Sequence, residues 1–400
     1  PDDRRARRGF AHGAGNGGAM QVTIAMDSDL GAAKGTITAS GWTKDLPDAF
    51  AVDMDVDRFQ VARFTGNTAI GPVSVKITGK GAHLNGPQRE ADISVMPNVL
   101  QYQGHDLSSV QLRARALGDS IHVDLSADAE PVKVALTAHG LWPTAQDSLS
   151  ARFDLLVERL DLEDLELLSY PLNAEGHLIG NASFSRDMRG HFSVDAPGLR
   201  LFNPERDITL EHFTASGFLG IDSTAIDVDS DALTVQYHTN IAIDSLIPRS
   251  QAKILSFFSA DTSFTPAPGK HMELAITLPR PELLAGLVIP DLQAIRLETL
   301  TGHYDSNTDE LQVDLDLPLL VYDSITIVDL RTAIDAKGPR LTGRVDMDRI
   351  ERDSLFVHGL SIDATTTAGA LTTTLRIADG EKERYRIGTE LRAVNGVRTL

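Results

Sequence analysis

Apolar and polar residues alternate in short runs over almost the whole of this chain, and that pattern leaves few folds open. Val73, Val75 and Ile77 interleave with Ser74, Lys76 and Thr78. Ile121, Val123 and Leu125 interleave with His122, Asp124 and Ser126, and Leu311, Val313, Leu315 and Leu317 with Gln312, Asp314 and Asp316. Side chains on a strand point to opposite faces with period two, so each run has one oily and one wet face. Roughly twenty such strands follow one another between Met20 and Val394 with little helix to cover them. The expected fold is all-β: a long, curled, mostly antiparallel sheet whose apolar side forms an open groove, with a few short helices. What fills a long oily surface is then the question of function.

Composition narrows the answer. Aromatic residues make up 6% of the chain, too few for the girdles of an outer-membrane barrel. The formal net charge is −19, which argues against a phosphate backbone as partner. There is no cysteine, so disulfides, thiol catalysis and Cys-ligated zinc are excluded. No apolar run reaches the ~18 residues of a membrane-spanning helix.

Catalytic and metal-binding patterns are missing as well. Asp53, Asp55 and Asp57 invite comparison with a calcium loop, but the sixth and twelfth places hold Arg58 and Phe64 instead of Gly and Glu. The three carboxylates read as the wet face of a strand. Twelve histidines are scattered, with His122, His177, His191, His212 and His238 in or beside strands and no HExxH pair. The expectation is a protein that is not an enzyme and uses no cofactor.

Three segments are expected: a flexible, basic, Gly-rich end over 1–19, a first β-groove segment over 20–148, and a second over 149–400, continuous with the first. Short helices are expected over Gln251–Phe258 and Glu282–Leu287, and one helical turn within Leu160–Leu168. Strand parity predicts that Val194, Ile208, Leu210, Ile226, Val228, Val235, Ile276, Val313, Leu315, Ile327, Val345 and Ile377 line one concave apolar surface.

From Leu149 onward the chain resembles a known family. The stretches LSARFDLLVERLDLEDLEL (Leu149–Leu167), PLNAEGHLIGNASFSRDMRGHFSVDAPGLRLFN (Pro171–Asn203), IDVDSDALTVQYHTNIAIDSL (Ile226–Leu246) and LTGHYDSNTDELQVDLDLPLLVYDSITIVDL (Leu300–Leu330) carry the likeness. It is to the AsmA-like proteins, and within them to the TamB-like inner-membrane subunit of the translocation and assembly module. The resemblance implies a periplasmic bridge, part of a protein anchored in the inner membrane, that conducts phospholipids toward the outer membrane. It implies phospholipid acyl chains as the bound partner and an outer-membrane β-barrel as a protein partner. It also implies that the sequence is an internal piece of a longer protein. The alternative from the residues themselves is a structural scaffold, an adhesin or an outer-membrane protein assembly factor, its oily faces packed on each other as in a β-sandwich.

Overall fold

The computed structural model describes residues 8–16, 18–42, 47–141, 148–185, 189–241, 268–353, 355–367, 370–380, 382–394 and 397–399. The expected helix over Gln251–Phe258 lies outside them. The described chain is almost entirely β, and its strands pair antiparallel, mostly with their neighbours in sequence. By contacts it divides into two units, one of residues 1–187 with 194–209 and one of 188–193 with 210–400.

In the first unit the strands are β1 (Arg8–Asn16), β2 (Ala19–Ser28), β3 (Gly31–Ser40), β4 (Ala49–Gln60), β5 (Ile70–Ala82), β6 (Glu90–Tyr102), β7 (His105–Asp106), β8 (Gln111–Leu117), β9 (Ser120–Asp128), β10 (Val132–Leu141), β11 (Ser148–Asp161) and β12 (Asn173–Ser185). Helix α1 (Val61–Thr65) links β4 to β5. The next strands are β13 (Gly190–Asp195), β14 (Leu199–Phe202) and β15 (Asp207–Leu210). The second unit continues with β16 (Phe213–Leu219), β17 (Thr224–Ser230), β18 (Thr234–Thr239), β19 (His271–Thr277), β20 (Leu292–Arg296), β21 (Thr299–Asp305), β22 (Glu310–Tyr322), β23 (Ile325–Lys337), β24 (Arg340–Arg352), β25 (Leu355–Thr367), β26 (Ala370–Asp379), β27 (Lys382–Val394) and β28 (Val397–Thr399).

Several hairpins close through two residues, the first in the left-handed region. Leu117 pairs with Ser120 around Gly118 (φ +57°), and Tyr322 pairs with Ile325 around Asp323 (φ +50°). Lys337 pairs with Arg340 around Gly338 (φ +56°). Positive φ at this place matches the twist of the flanking strands, which is why Gly and Asp occupy it. Among the described residues β1 pairs only with β2 and β28 only with β27, so neither unit closes into a barrel through its terminal strand.

Two expectations are corrected, and the turn expected within Leu160–Leu168 is present. Arg8–Asn16, expected as part of a flexible end, is strand β1 in register with β2. Its Gly- and Ala-rich sequence has too few apolar residues to display an alternation. The stretch expected to be a short helix over Glu282–Leu287 is a single 3-10 turn at Pro281–Leu283. In Leu160–Leu168, β11 runs on to Asp161 and one turn follows. There the Leu165 N–H donates to the Asp161 carbonyl, and Asp161 Oδ1 accepts from the Asp164 N–H at 3.0 Å.

Candidate functional site

Residues directly opposite on antiparallel strands share a face, so the register traces each face across a unit. In the first unit one such line runs Ile24, Gly35, Met54, Ile77, Val95, Leu112, Leu125, Leu136, Leu155, Leu178. Nine of the ten are large and apolar. Gly35 is forced, since a Cβ there would lie 2.3 Å from the Asp53 carbonyl and 2.8 Å from the Met54 side chain. Beside it, two residues along, runs Val22, Ile37, Val52, Gly79, Ile93, Ala114, Val123, Ala138, Phe153. With strands ~4.8 Å apart, ten of them carry a row about 43 Å long.

The intervening positions make the wet face. One line there runs Thr36, Asp53, Thr78, Ser94, Arg113, Asp124, Thr137, Asp154. Asp53 and Asp55 belong to this face, as the alternation requires. Arg113 grips Asp92 with two hydrogen bonds, of 3.1 and 2.6 Å. That guanidinium holds the Asp92 carboxyl below the usual carboxylate range, and Arg115 does the same to Asp124.

In the second unit a comparable apolar line runs Ala215, Val228, Val235, Ile276, Leu300, Leu315, Thr332, Val345, Ile362, Leu375, Ile387. Five of the residues singled out in the sequence, Val228, Val235, Ile276, Leu315 and Val345, therefore stand in a single row. Ile226 and Val313 occupy the next one, with Tyr237, Leu274 and Gly302 between them. Burial pushes the Tyr237 phenol up, an effect only partly offset by the Thr239 hydroxyl. Ile377 pairs with Leu360, two residues from Ile362, and so shares the face.

Ile327 is reached differently, across a crease. The ladder drops its pairs at Pro318 and Asp329, at Asp329–Leu330 and Met347–Asp348, and at Asp348 and Gly359, and it shifts at Ile377/Ala378. Asp329 (φ +51°) and Gly359 (φ +55°) are left-handed there. On each strand the apolar spacing jumps from two to three: Leu317 to Leu320, Leu330 to Ile327, Met347 to Ile350, Leu360 to Val357. Beyond the crease, Leu320, Ile327, Ile350 and Val357 pair in one apolar row. Irregularities of this kind bend and twist strands. Aligned across neighbouring strands, they bend the sheet along a line. The first unit has its counterpart at β4–β6, where the register shifts at Val56/Phe59 and Ser74/Val75. Arg58 is left-handed there (φ +46°), its N–H donating to Ser74 Oγ at 2.8 Å, and that hydroxyl donates to Asp57 Oδ1 at 3.0 Å.

The remaining three residues of the set are Val194 in β13 and Ile208 and Leu210 in β15. Val194 and Ile208 are half-buried and Leu210 is 5% exposed. β13 pairs with β16, the strand that carries Ala215. None of the twelve residues singled out in the sequence belongs to the first unit's row, although 20–148 is expected to form a groove. Its signal was present in the same alternation, at Ile77, Val95, Leu125 and Leu155.

The apolar rows are not fully covered. All nine large side chains of the first row are half-buried, as are Val228, Val235, Ile276, Leu315 and Val345 in the second unit. Among the described residues, Leu287 and Pro131 are the largest side chains buried completely, and neither lies in a row. A recess of about 420 Å³ on the opposite face of β22–β25 is lined by Asp314, Asp335, Arg344 and Asp363. Its charges make it unsuited to an apolar ligand. No family model, curated protein or solved structure matches the chain.

Proposed function

We propose that the two units carry lipid acyl chains along their apolar faces, as segments of a periplasmic bridge that moves phospholipids between the inner and outer membranes. The observation that carries this reading is the half-buried apolar row, repeated in both units and running from strand to strand without a charged side chain. Each CH₂ removed from water onto such a surface gains about 0.8 kcal/mol. A row that offers the same contacts at each strand has no deep trap, so a chain bound at one strand is bound about equally at the next. The ladder breaks at Asp329/Gly359 and at Arg58/Ser74 line up across neighbouring strands, an arrangement that suits a sheet bent into a trough with its headgroup side open to water.

The resemblance to the AsmA-like and TamB-like proteins points the same way, to a β-rich bridge anchored in the inner membrane with an outer-membrane β-barrel as partner. The scaffold reading needs the oily faces to bury one another. In a sandwich the inner residues interdigitate and lose nearly all their exposure, whereas Leu112, Leu125, Leu136 and Leu155 are half-buried.

The test is mass spectrometry of lipids that co-purify with the chain from a Gram-negative host. Phospholipid at one or more molecules per chain, lost when Leu136 and Leu315 are both changed to Asp, is the expected result. A chain free of lipid, with or without the substitutions, would speak for the scaffold.

A further inference from the structure

We infer that His122 and His139 form a divalent transition-metal site on the polar face of the first unit. The inference is independent of the lipid reading. The two residues stand directly opposite each other on β9 and β10. Their Nδ1 atoms are 3.0 Å apart, and the ring centroids are 4.3 Å apart. Two imidazole nitrogens on adjacent positions of one ion, each at about 2.0–2.1 Å, lie about 3 Å from each other. The rings are thus already at chelating separation.

The second observation is what lies behind His122. Its Nε2 is 2.9 Å from Asp124 Oδ1. A carboxylate there accepts a hydrogen bond from Nε2–H and leaves Nδ1 with its lone pair, on the side of His139. A metal-bound histidine usually has this arrangement, the distal nitrogen donating to a carboxylate that fixes tautomer and ring orientation. Asp124 is itself held by Arg115 at 2.8 Å. Without an ion, the His139 Nδ1–H donates to His122 Nδ1. With an ion, His139 moves its proton to Nε2 and both Nδ1 atoms ligate.

The surroundings define the class of ion. The donors on offer are two imidazoles, while the nearby Asp124 carboxylate is engaged by Arg115 and by His122, so the site lacks the oxygen ligands that hard cations such as calcium take. Neutral imidazoles suit zinc, nickel or copper. No group of three or more metal-binding side chains occurs among the described residues, so water would complete the coordination. Such a site binds reversibly and clips β9 to β10.

Calorimetric titration of the chain with Zn²⁺ alone tests this. One ion per chain is expected. Its affinity should fall at least about tenfold in His122→Ala and in His139→Ala, and be unchanged in His177→Ala, whose imidazole faces Asp154 elsewhere on the same face. Asp124→Asn should weaken it by about tenfold through loss of the orienting carboxylate. No binding by the parent, or equal binding by parent and His139→Ala, would overturn the site.

Discussion

Leu125 of β9 stands directly opposite Leu136 of β10, and both side chains are half-buried. In a β-sheet core that pair would be covered from above; here water or a ligand must meet it. Leu136→Asp places a carboxylate in the middle of the row, where an arriving acyl chain would have to desolvate it at a cost of several kcal/mol. Lipid recovered with the chain should fall severalfold. Thr137→Lys, one residue along and on the wet face between Asp124 and Asp154, should leave lipid unchanged and stability within about 0.5 kcal/mol. Lipid analysis and urea unfolding of the two variants side by side separate the faces.

Gly359 tests the crease. Its φ is +55°, and a Cβ would lie 2.9 Å from the Ala378 carbonyl oxygen. Gly359→Ala should destabilise by about 1–2 kcal/mol from the left-handed backbone alone, and more from the close contact. Gly388, with open space around its Cα, should tolerate Ala within about 0.5 kcal/mol. A difference between the two variants too small to measure in urea would mean the crease is not held by that backbone.

Ser74 holds the corresponding bend in the first unit and is 5% exposed. Ser74→Ala leaves the Arg58 N–H and the Asp57 carboxylate each short of one partner. A loss of about 1–3 kcal/mol in chemical unfolding is expected, with Ser94→Ala on the wet face as the neutral comparison.

These bends mark the limit of what was legible in the sequence. Strands such as Ile121–Leu125 and Leu311–Leu317 were readable because one face avoids water and the period is two. The same rule does not carry through Asp329, where β23 continues as one strand with a left-handed residue inside it. A single left-handed residue changes the phase of the alternation, and nothing in composition announces it. Strands β7, β14 and β20 have two to five residues, too few to show a period. Five members of the expected site fell into one row because parity is a local property. Which rows meet across strands is set by register, which pairing and turn geometry decide.

Acid should weaken the first unit through Asp92. Arg113 holds that carboxyl below its usual range in the folded chain, so its contribution is present above the unfolded carboxylate value of about 3.9 and is lost as pH falls through the folded value. Asp92→Asn should therefore be less stable than the parent near neutrality, with the gap closing as pH drops below about 4. Urea unfolding over a pH series would show it. A gap that widened in acid would reverse the assigned sign.

Lipid contact at single positions is the most direct test of the central claim. A photoreactive amino acid placed at Leu136 or Leu315 in the chain in cells should crosslink to phospholipid. The same probe at Thr137 or Asp314, on the opposite face of the same strands, should not. Equal labelling at all four positions, or labelling at none, would contradict a lipid path along the apolar rows.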